Sequence, residues 1–126
     1  MTEQDNTAIV QAIVEDYTAQ AIKQAPLQYL AGNIEWSVSG SIDDPFTGTY
    51  SGIQKVEHLF ATFCEMLTVE EYEPKEYIAQ GDKVVVSGNE VICFKVSNRT
   101  VKCTFVYIIT IRDGKIVKWQ TVYGYP

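Results

Sequence analysis

The chain has 126 residues, which is enough for one compact domain and too short for two ordinary ones. Hydrophobic residues make up 46% of the chain and charged residues 21%, a composition too apolar for a disordered protein. Sixteen acidic residues against ten basic ones give a formal net charge of −6. This acidic balance argues against a nucleic acid or an anionic membrane as partner.

No segment predicts a membrane crossing or an export signal. The longest unbroken apolar run, residues 105–109, is far shorter than the roughly 20 residues that a membrane-spanning helix needs. The amino terminus begins Met1-Thr2-Glu3-Gln4-Asp5, which is acidic and lacks the basic start and the apolar stretch of a secretory signal. We therefore expect a cytoplasmic protein that does not associate with membranes.

The cysteines and the single histidine do not form a metal-binding or disulfide pattern. Cys64, Cys93 and Cys103 are odd in number and have no CxxC spacing, and His58 has no second imidazole to share a metal. Cys93 and Cys103 lie on two strands of one predicted hairpin, where they could face each other. We expect buried, reduced thiols, no metal and no cofactor.

The first part of the chain predicts two helices in succession. Residues 3–25 form an amphipathic helix whose apolar stripe is Ile9, Ile13, Tyr17, Ala21 and Ile22. Thr2 can cap this helix, and Asp5, three residues later, completes a spacing similar to a capping box. Pro26 prevents simple continuation and opens a short second helix through Leu30.

The middle of the chain predicts a strand, a long loop and a third helix. Residues 33–39 are typical of a short strand, and residues 40–52 are rich in Gly, Ser, Asp and Pro, as in a surface loop. Residues 53–67 return to the helical spacing of apolar side chains. His58 lies off the apolar stripe of this helix, so we expect it to be exposed.

After Thr68 the chain predicts four long strands. They span about 69–80, 83–96, 99–112 and 115–124 and are joined by tight turns at 81–82, 97–98 and 113–114. One face of the third strand is apolar and should meet the helices, namely Val101, Cys103, Phe105, Tyr107, Ile109 and Ile111. The other face is mixed and carries Val106 and Ile108, which suits a surface covered by a second subunit.

Helices first and hairpins afterwards predict an α+β fold over residues 1–126. We expect a single domain with three N-terminal helices packed on one face of a curved antiparallel sheet. Such a sheet, bent by bulges and closed at one end by the helices, forms a cone whose mouth is a pocket between the layers. This pocket is where a function is expected.

Three sequence segments carry a family likeness in their order along the chain. They are residues 48–52 before a helix, residues 77–86 at a hairpin and residues 111–116 at the last turn. This ordered set resembles the SnoaL-like group, in the superfamily that looks like nuclear transport factor 2 and ketosteroid isomerase. The resemblance spans nearly the whole chain and implies a cystatin-like cone. The superfamily includes isomerases, cyclases, dehydratases, hydrolases and plain binding domains, so the fold alone does not select an activity.

The resemblance implies specific positions for catalytic groups. Tyr17 falls on the hydrogen-bond-donating tyrosine of the isomerase members, and Tyr107 falls on their acidic donor. Ser37, give or take one residue, falls where those members carry the carboxylate base, and a serine hydroxyl alone does not remove a proton from carbon. Gly124 falls on the aspartate of the cyclase members. The resemblance therefore implies two phenolic donors with both usual carboxylates missing.

Seven side chains are interpreted as lining an aromatic pocket, although core packing explains them equally well: Tyr17, Trp36, Tyr50, Phe105, Tyr107, Trp119 and Tyr123. Two carboxylates are weak candidates for a base. Glu35 would need a one-residue bulge to turn inward, where burial would raise its pKa. Asp44 lies in an Asp-Asp-Pro segment that is typical of a turn.

Three hypotheses about function remain open from the sequence. The first is a binding domain for a small apolar ligand that bears a carbonyl or hydroxyl group. The second is an isomerase-, dehydratase- or hydrolase-type enzyme acting on a polycyclic or polyketide-like substrate. The third is an interaction module with a vestigial pocket. Under all three, we expect a homodimer formed through the sheet face.

Overall fold

The computed structural model describes residues 2–20, 27–40 and 46–124, except for the side chains of residues 16–20 and 27. Two α-helices are present in this part of the chain, α1 (Glu3–Gln20) and α2 (Ile53–Met66). The described residues also contain six strands, which are, in chain order, β1 (Leu30–Ser39), β2 (Gly48–Ser51), β3 (Leu67–Gln80), β4 (Lys83–Phe94), β5 (Arg99–Arg112) and β6 (Lys115–Gly124).

Helix α1 begins with the predicted capping interaction. The backbone N–H of Asp5 donates to Thr2 Oγ1, and the backbone N–H of Thr2 donates to Asp5 Oδ2, both at 3.0 Å. Hydrogen bonds from the backbone N–H and the side chain of Thr2 to the Asp5 carboxyl hold its pKa below the usual value. An aspartate therefore serves here in the role that glutamate or glutamine usually takes in a capping box.

The short second helix predicted at 26–30 is not an α-helix, which corrects the expectation of three N-terminal helices. Pro26 lies outside the described residues, and Leu27–Tyr29 form only a 3₁₀ turn. Leu30 is already the first residue of β1, where it pairs with Ile116 of β6. Pairing with a distant strand thus overrides the local helical tendency of this segment.

The sheet is mixed rather than fully antiparallel as expected. Its strand order is β2-β1-β6-β5-β4-β3, and β1 runs parallel to β6 while all other neighbours are antiparallel. The three predicted hairpins connect β3 with β4, β4 with β5, and β5 with β6. Their turns contain residues with positive φ angles, namely Gly81, Asn98, Asp113 and Gly114. The loop predicted at 40–52 contains β2, which pairs with β1 at the sheet edge.

The core lies between the helices and one face of the sheet, which we call the inner face. Helix α1 packs against β3 and β4, and α2 packs against β1, β2 and β3. The inner face carries alternate residues of each strand, and the most deeply buried of these include Ile34, Val84, Val86, Phe105, Ile109, Ile116 and Trp119. None of the described helices is long and apolar enough to cross a membrane.

Strand β3 comes unusually close to β4 at Gly88. Two β-bulges interrupt β3, between Val69 and Glu71 and between Pro74 and Glu76. A Cβ atom at Gly88 would meet the backbone oxygen of Glu73, and it would lie 2.7 Å from both Pro74 Cα and Phe105 Cζ. Only glycine therefore allows β3 and the Phe105 ring to approach this part of β4.

Two expectations about single side chains have clear outcomes. His58 is exposed on α2, as its position off the apolar stripe predicts. Cys93 and Cys103 do not face each other across the β4–β5 hairpin, because Cys93 pairs with Thr100 and Cys103 pairs with Glu90. The two cysteines are separated by three ladder positions and lie on opposite faces of the sheet.

Candidate functional site

A row of stacked aromatic rings crosses the inner face of the sheet. Tyr72 stacks on Phe105 with ring centroids 5.1 Å apart, and Phe105 stacks on Tyr107 at 4.6 Å. Trp119 lies 5.0 Å from Tyr107 and stacks on Trp36 at 4.3 Å. Four of the side chains predicted to line a pocket therefore lie together, and Tyr72 joins them.

Two phenolic hydroxyl groups meet within this row. The hydroxyl oxygens of Tyr72 and Tyr107 are 2.7 Å apart, and either can be the donor. Burial raises the pKa of both phenols, so both remain protonated at neutral pH. One of the two hydroxyl protons forms the hydrogen bond between Tyr72 and Tyr107. The other hydroxyl proton can be donated to a third group.

Glu90 is a buried acid beside this phenol pair. It lies opposite Tyr72 of β3 and Cys103 of β5 on the inner face, and only 4% of its surface is exposed. Burial raises the pKa of Glu90 to about 7, while hydrogen bonds from Cys103 and Tyr123 act in the opposite direction. The negative charge of Glu90 in turn raises the pKa of Tyr72 and Tyr107. The inner face thus carries a carboxyl group that exchanges its proton near neutral pH.

Glu90 and Cys103 also border a cleft of about 450 Å³. Strands β3, β4, β5 and β6 form its lining, which includes Glu71, Glu73 and Lys102. A space of this volume is within the range that small-molecule sites occupy. Apart from Glu90 and Cys103, the lining residues alternate with the inner-face residues of their strands, so the cleft opens on the face of the sheet opposite the phenol pair.

The other predicted pocket residues have different surroundings. Tyr50 donates its hydroxyl proton to the backbone oxygen of Phe46 at 2.8 Å, within the loop that precedes β2. Tyr123 is half-buried and contributes a hydrogen bond to Glu90. Tyr17 belongs to α1, but its side chain lies outside the described part of the structure. Tyr123 is thus the one of these three that the structure connects to the phenol pair and the acid.

The two weak candidates for a base do not join this cluster. Glu35 is exposed on the face of β1 opposite Trp36, so the inward turn that a role as base would need does not occur. The pairing of β1 with β6 does shift register, but the shift lies between Leu30 and Glu35 and leaves Trp36 on the inner face. Asp44 lies outside the described residues. Ser37 is half-buried on the same face as Glu35.

The sequence reasoning missed Tyr72, Glu90 and Cys103 as members of a site. The resemblance implies that both usual carboxylates beside Tyr17 and Tyr107 are missing, and Glu90 is a carboxyl group at a different position that acts on Tyr107. The signal was present in β4, where Glu90 shares its face with Val84, Val86 and Ile92, because an acid in an alternating apolar pattern must be buried with them. The Ser97-Asn98 turn fixes the register that sets Glu90 opposite Cys103.

The charges and donors define what the site can do chemically. Among the described residues, Glu90 is the only charged side chain that is buried, and no group of three or more His, Cys, Asp or Glu side chains is suited to a metal ion. Hydroxyl and thiol protons surround the carboxyl, and they can hydrogen-bond to either of its protonation states. The site can therefore donate a hydrogen bond to a ligand oxygen and exchange a proton with it.

Comparison with known proteins agrees with this architecture. The family model of the SnoaL-like domain matches residues 2–119. A comparison with curated proteins finds no match. Among solved structures, an NTF2-like protein from Burkholderia xenovorans LB400 is 30% identical, with a TM-score of 0.83 over 98% of this chain and 92% of that one.

Two further solved structures share the fold at lower identity. TerC, co-crystallised with polyporic acid, is 23% identical with a TM-score of 0.75, over 94% of this chain and 91% of that one. A proposed SnoaL-like polyketide cyclase from Mesorhizobium loti is 16% identical with a TM-score of 0.74, over 96% and 98% of the two chains. At these identities the likeness establishes the fold alone.

Proposed function

Because this chain belongs to the SnoaL-like domain family, we propose that it binds a small apolar molecule that bears a carbonyl or hydroxyl group. The ligand contacts the inner face of the sheet, and its oxygen hydrogen-bonds to the Tyr72–Tyr107 pair or to Glu90. The observation that carries this proposal is the 2.7 Å phenol pair beside a buried carboxyl on an otherwise apolar face.

The energetic cost of this arrangement supports a function for it. Burying a carboxyl group away from water is unfavourable, and the raised pKa of Glu90 is a direct expression of that cost. An apolar residue at the same position would complete the core without that cost. Perturbed titratable groups of this kind concentrate at functional sites.

The chemistry of the cluster favours a flat, oxygen-bearing ligand. The stacked rings of Tyr72, Phe105 and Tyr107 offer aromatic surface, and the phenol pair has one proton to donate. TerC, which shares the fold, has been crystallised with polyporic acid. That complex supports ligand binding in this fold and makes polyporic acid a reasonable first probe.

Isothermal titration calorimetry tests the proposal with three probes, 2-acetylnaphthalene, 2-naphthol and polyporic acid. We expect at least one of them to bind the native protein, with a loss of about tenfold in affinity for Tyr107→Phe, since one hydrogen bond contributes about 1 kcal/mol. Tyr77→Phe is the matched control, because Tyr77 lies on the same strand as Tyr72 but outside the phenol pair. Equal losses in Tyr107→Phe and Tyr77→Phe would contradict the proposed site.

The raised pKa of Glu90 favours an isomerase- or lyase-like enzyme as a second candidate, acting on a polycyclic or polyketide-like substrate. In such a reaction, Glu90 takes a proton from the carbon next to a carbonyl, and the phenol pair stabilises the resulting enolate oxygen. The negative charge moves from the carboxyl to the substrate, so no new charge is created in the buried site. Exchange of the α-protons of 1-tetralone in D₂O, followed by NMR, tests this step, and Glu90→Gln should abolish it.

We also propose a homodimer formed through the face of the sheet opposite the helices, which we call the outer face. Val106 and Ile108 are half-buried on this face, Val122 is 44% exposed, and Ile78 is 59% exposed. These residues lie on adjacent positions of β3 to β6 and form an apolar surface that a second copy would cover. A twofold contact between identical faces is the simplest closed arrangement.

A further inference from the structure

The thiol of Cys103 lies against the carboxyl group of Glu90. The two residues are direct partners in the β4–β5 ladder, and both point to the inner face. Cys103 Sγ is 3.8 Å from Glu90 Oε1, within the range of a hydrogen bond that a thiol donates. Both side chains are 4% exposed, so solvent competes little for this contact.

We infer that Cys103 is a positioning residue, whose thiol holds Oε1 of Glu90 so that the carboxyl group keeps a fixed orientation toward the phenol pair. This inference rests on the proposed function, in which Glu90 acts on the ligand. The effect of Cys103 reaches the ligand only through Glu90.

The groups that face Glu90 show how the Cys103 thiol acts on its carboxyl group. Tyr72 faces it from β3, Cys103 and Tyr107 from β5, and Tyr123 from β6. A thiol beside a carboxylate remains protonated, because the negative charge opposes formation of a thiolate. Cys103 therefore acts as a weak, uncharged donor, and it favours the ionised carboxyl without neutralising it.

Infrared spectroscopy of the unliganded protein tests this inference directly. The S–H stretching band lies in a spectral window that other protein groups leave open, and it moves to lower frequency when the thiol donates a stronger hydrogen bond. We expect the S–H stretching frequency of Cys103 to fall as Glu90 ionises. The midpoint of this change with pH should equal the midpoint of the Glu90 titration. The shift should disappear in Glu90→Gln, while Cys93→Ala, which removes a thiol on the opposite face, should retain it.

Variants provide a second readout, the titration of Glu90 followed by NMR of protein labelled with ¹³C at the glutamate carboxyl carbon. Cys103→Ala should raise the midpoint by about half a pH unit, since a weak hydrogen bond to the anion is lost, and Cys103→Ser should restore most of it. An S–H band that does not change with pH would overturn the inference, even if Cys103→Ala fails to fold. Failure of every ligand probe would instead count against the proposed function, because neither measurement here uses a ligand.

Discussion

The hydroxyl groups of Tyr72 and Tyr107 meet at 2.7 Å although the two residues are not partners in any strand pair. Tyr72 lies opposite Glu90, and Tyr107 lies opposite Val86, so the two phenols reach each other diagonally across β4. Gly88 lies between those two positions of β4, and a Cβ atom there would clash with the Phe105 ring. The phenol pair therefore depends on the missing side chain of a glycine.

Gly88→Ala tests this dependence. The new methyl group would collide with the backbone of β3 and with the Phe105 ring, so we expect a loss of about 2–4 kcal/mol in the free energy of unfolding. Urea denaturation measures the loss. Gly32→Ala is the matched control, because nothing lies within 4 Å of a Cβ at that position. Similar stabilities for the two variants would show that β3 does not approach β4 as described.

Glu90 makes the stability of the fold depend on pH. Burial raises its pKa from 4.5 to about 7, so the folded chain retains the Glu90 proton to a higher pH than the unfolded chain does. The sign follows from this difference: stability falls as the pH rises from about 4.5 through about 7, by about 3 kcal/mol in total. Glu90→Gln should remove this component, as measured by denaturation between pH 4 and pH 8.

Glu73→Gln is the control for this titration, because Glu73 is an exposed glutamate on β3. It should leave the pH dependence of the native protein in place. If the free energy of unfolding falls by the same amount between pH 5 and pH 7 in the native protein and in Glu90→Gln, Glu90 is not the buried titrating group.

The phenol pair predicts a measurable coupling between two side chains. Tyr72→Phe and Tyr107→Phe should each cost about 1 kcal/mol in unfolding free energy, because each removes one partner of the hydrogen bond. The double variant should cost about 1 kcal/mol less than the sum of the two single changes. A double-mutant cycle in urea measures the coupling, and strictly additive losses would mean that the two hydroxyl groups do not interact.

The proposed dimer predicts that a charge on the outer face separates the subunits. Ile108→Lys places an ammonium group in the centre of the apolar surface, so sedimentation should change from dimer to monomer. Val96→Lys is the control, because Val96 is 97% exposed but belongs to the β4–β5 turn. A native protein that sediments as a monomer at micromolar concentration would contradict this proposal.

Much of the fold is encoded locally and is readable from the sequence. The hairpins follow from residues that tolerate positive φ, such as Asp113 and Gly114, and from the alternation of apolar side chains between them. Helix α2 follows from its apolar spacing, and the start of α1 follows from Thr2 and Asp5. In each case the residues that determine the element lie within the element or beside it.

What the sequence does not predict depends on contacts between distant segments. The parallel pairing of β1 with β6 and the short edge strand β2 form only when the rest of the sheet is in place. The candidate site was partly readable: Tyr107 was identified, but its partner Tyr72 meets it only through the diagonal path over Gly88. Glu90 was overlooked because its acidic type suggests exposure, and only the alternation in β4 indicates otherwise.

The parallel stack of Trp36 and Trp119 has an optical consequence. The chain contains two tryptophans, and their rings lie 4.3 Å apart at an interplanar angle of 6°. Two identical chromophores this close share their excited states, so the far-ultraviolet circular dichroism should contain an exciton couplet from the strongest indole transition. Since Trp119 also touches Tyr107, a molecule that displaces these rings would change the couplet, and the native chain would report its own occupancy without a label.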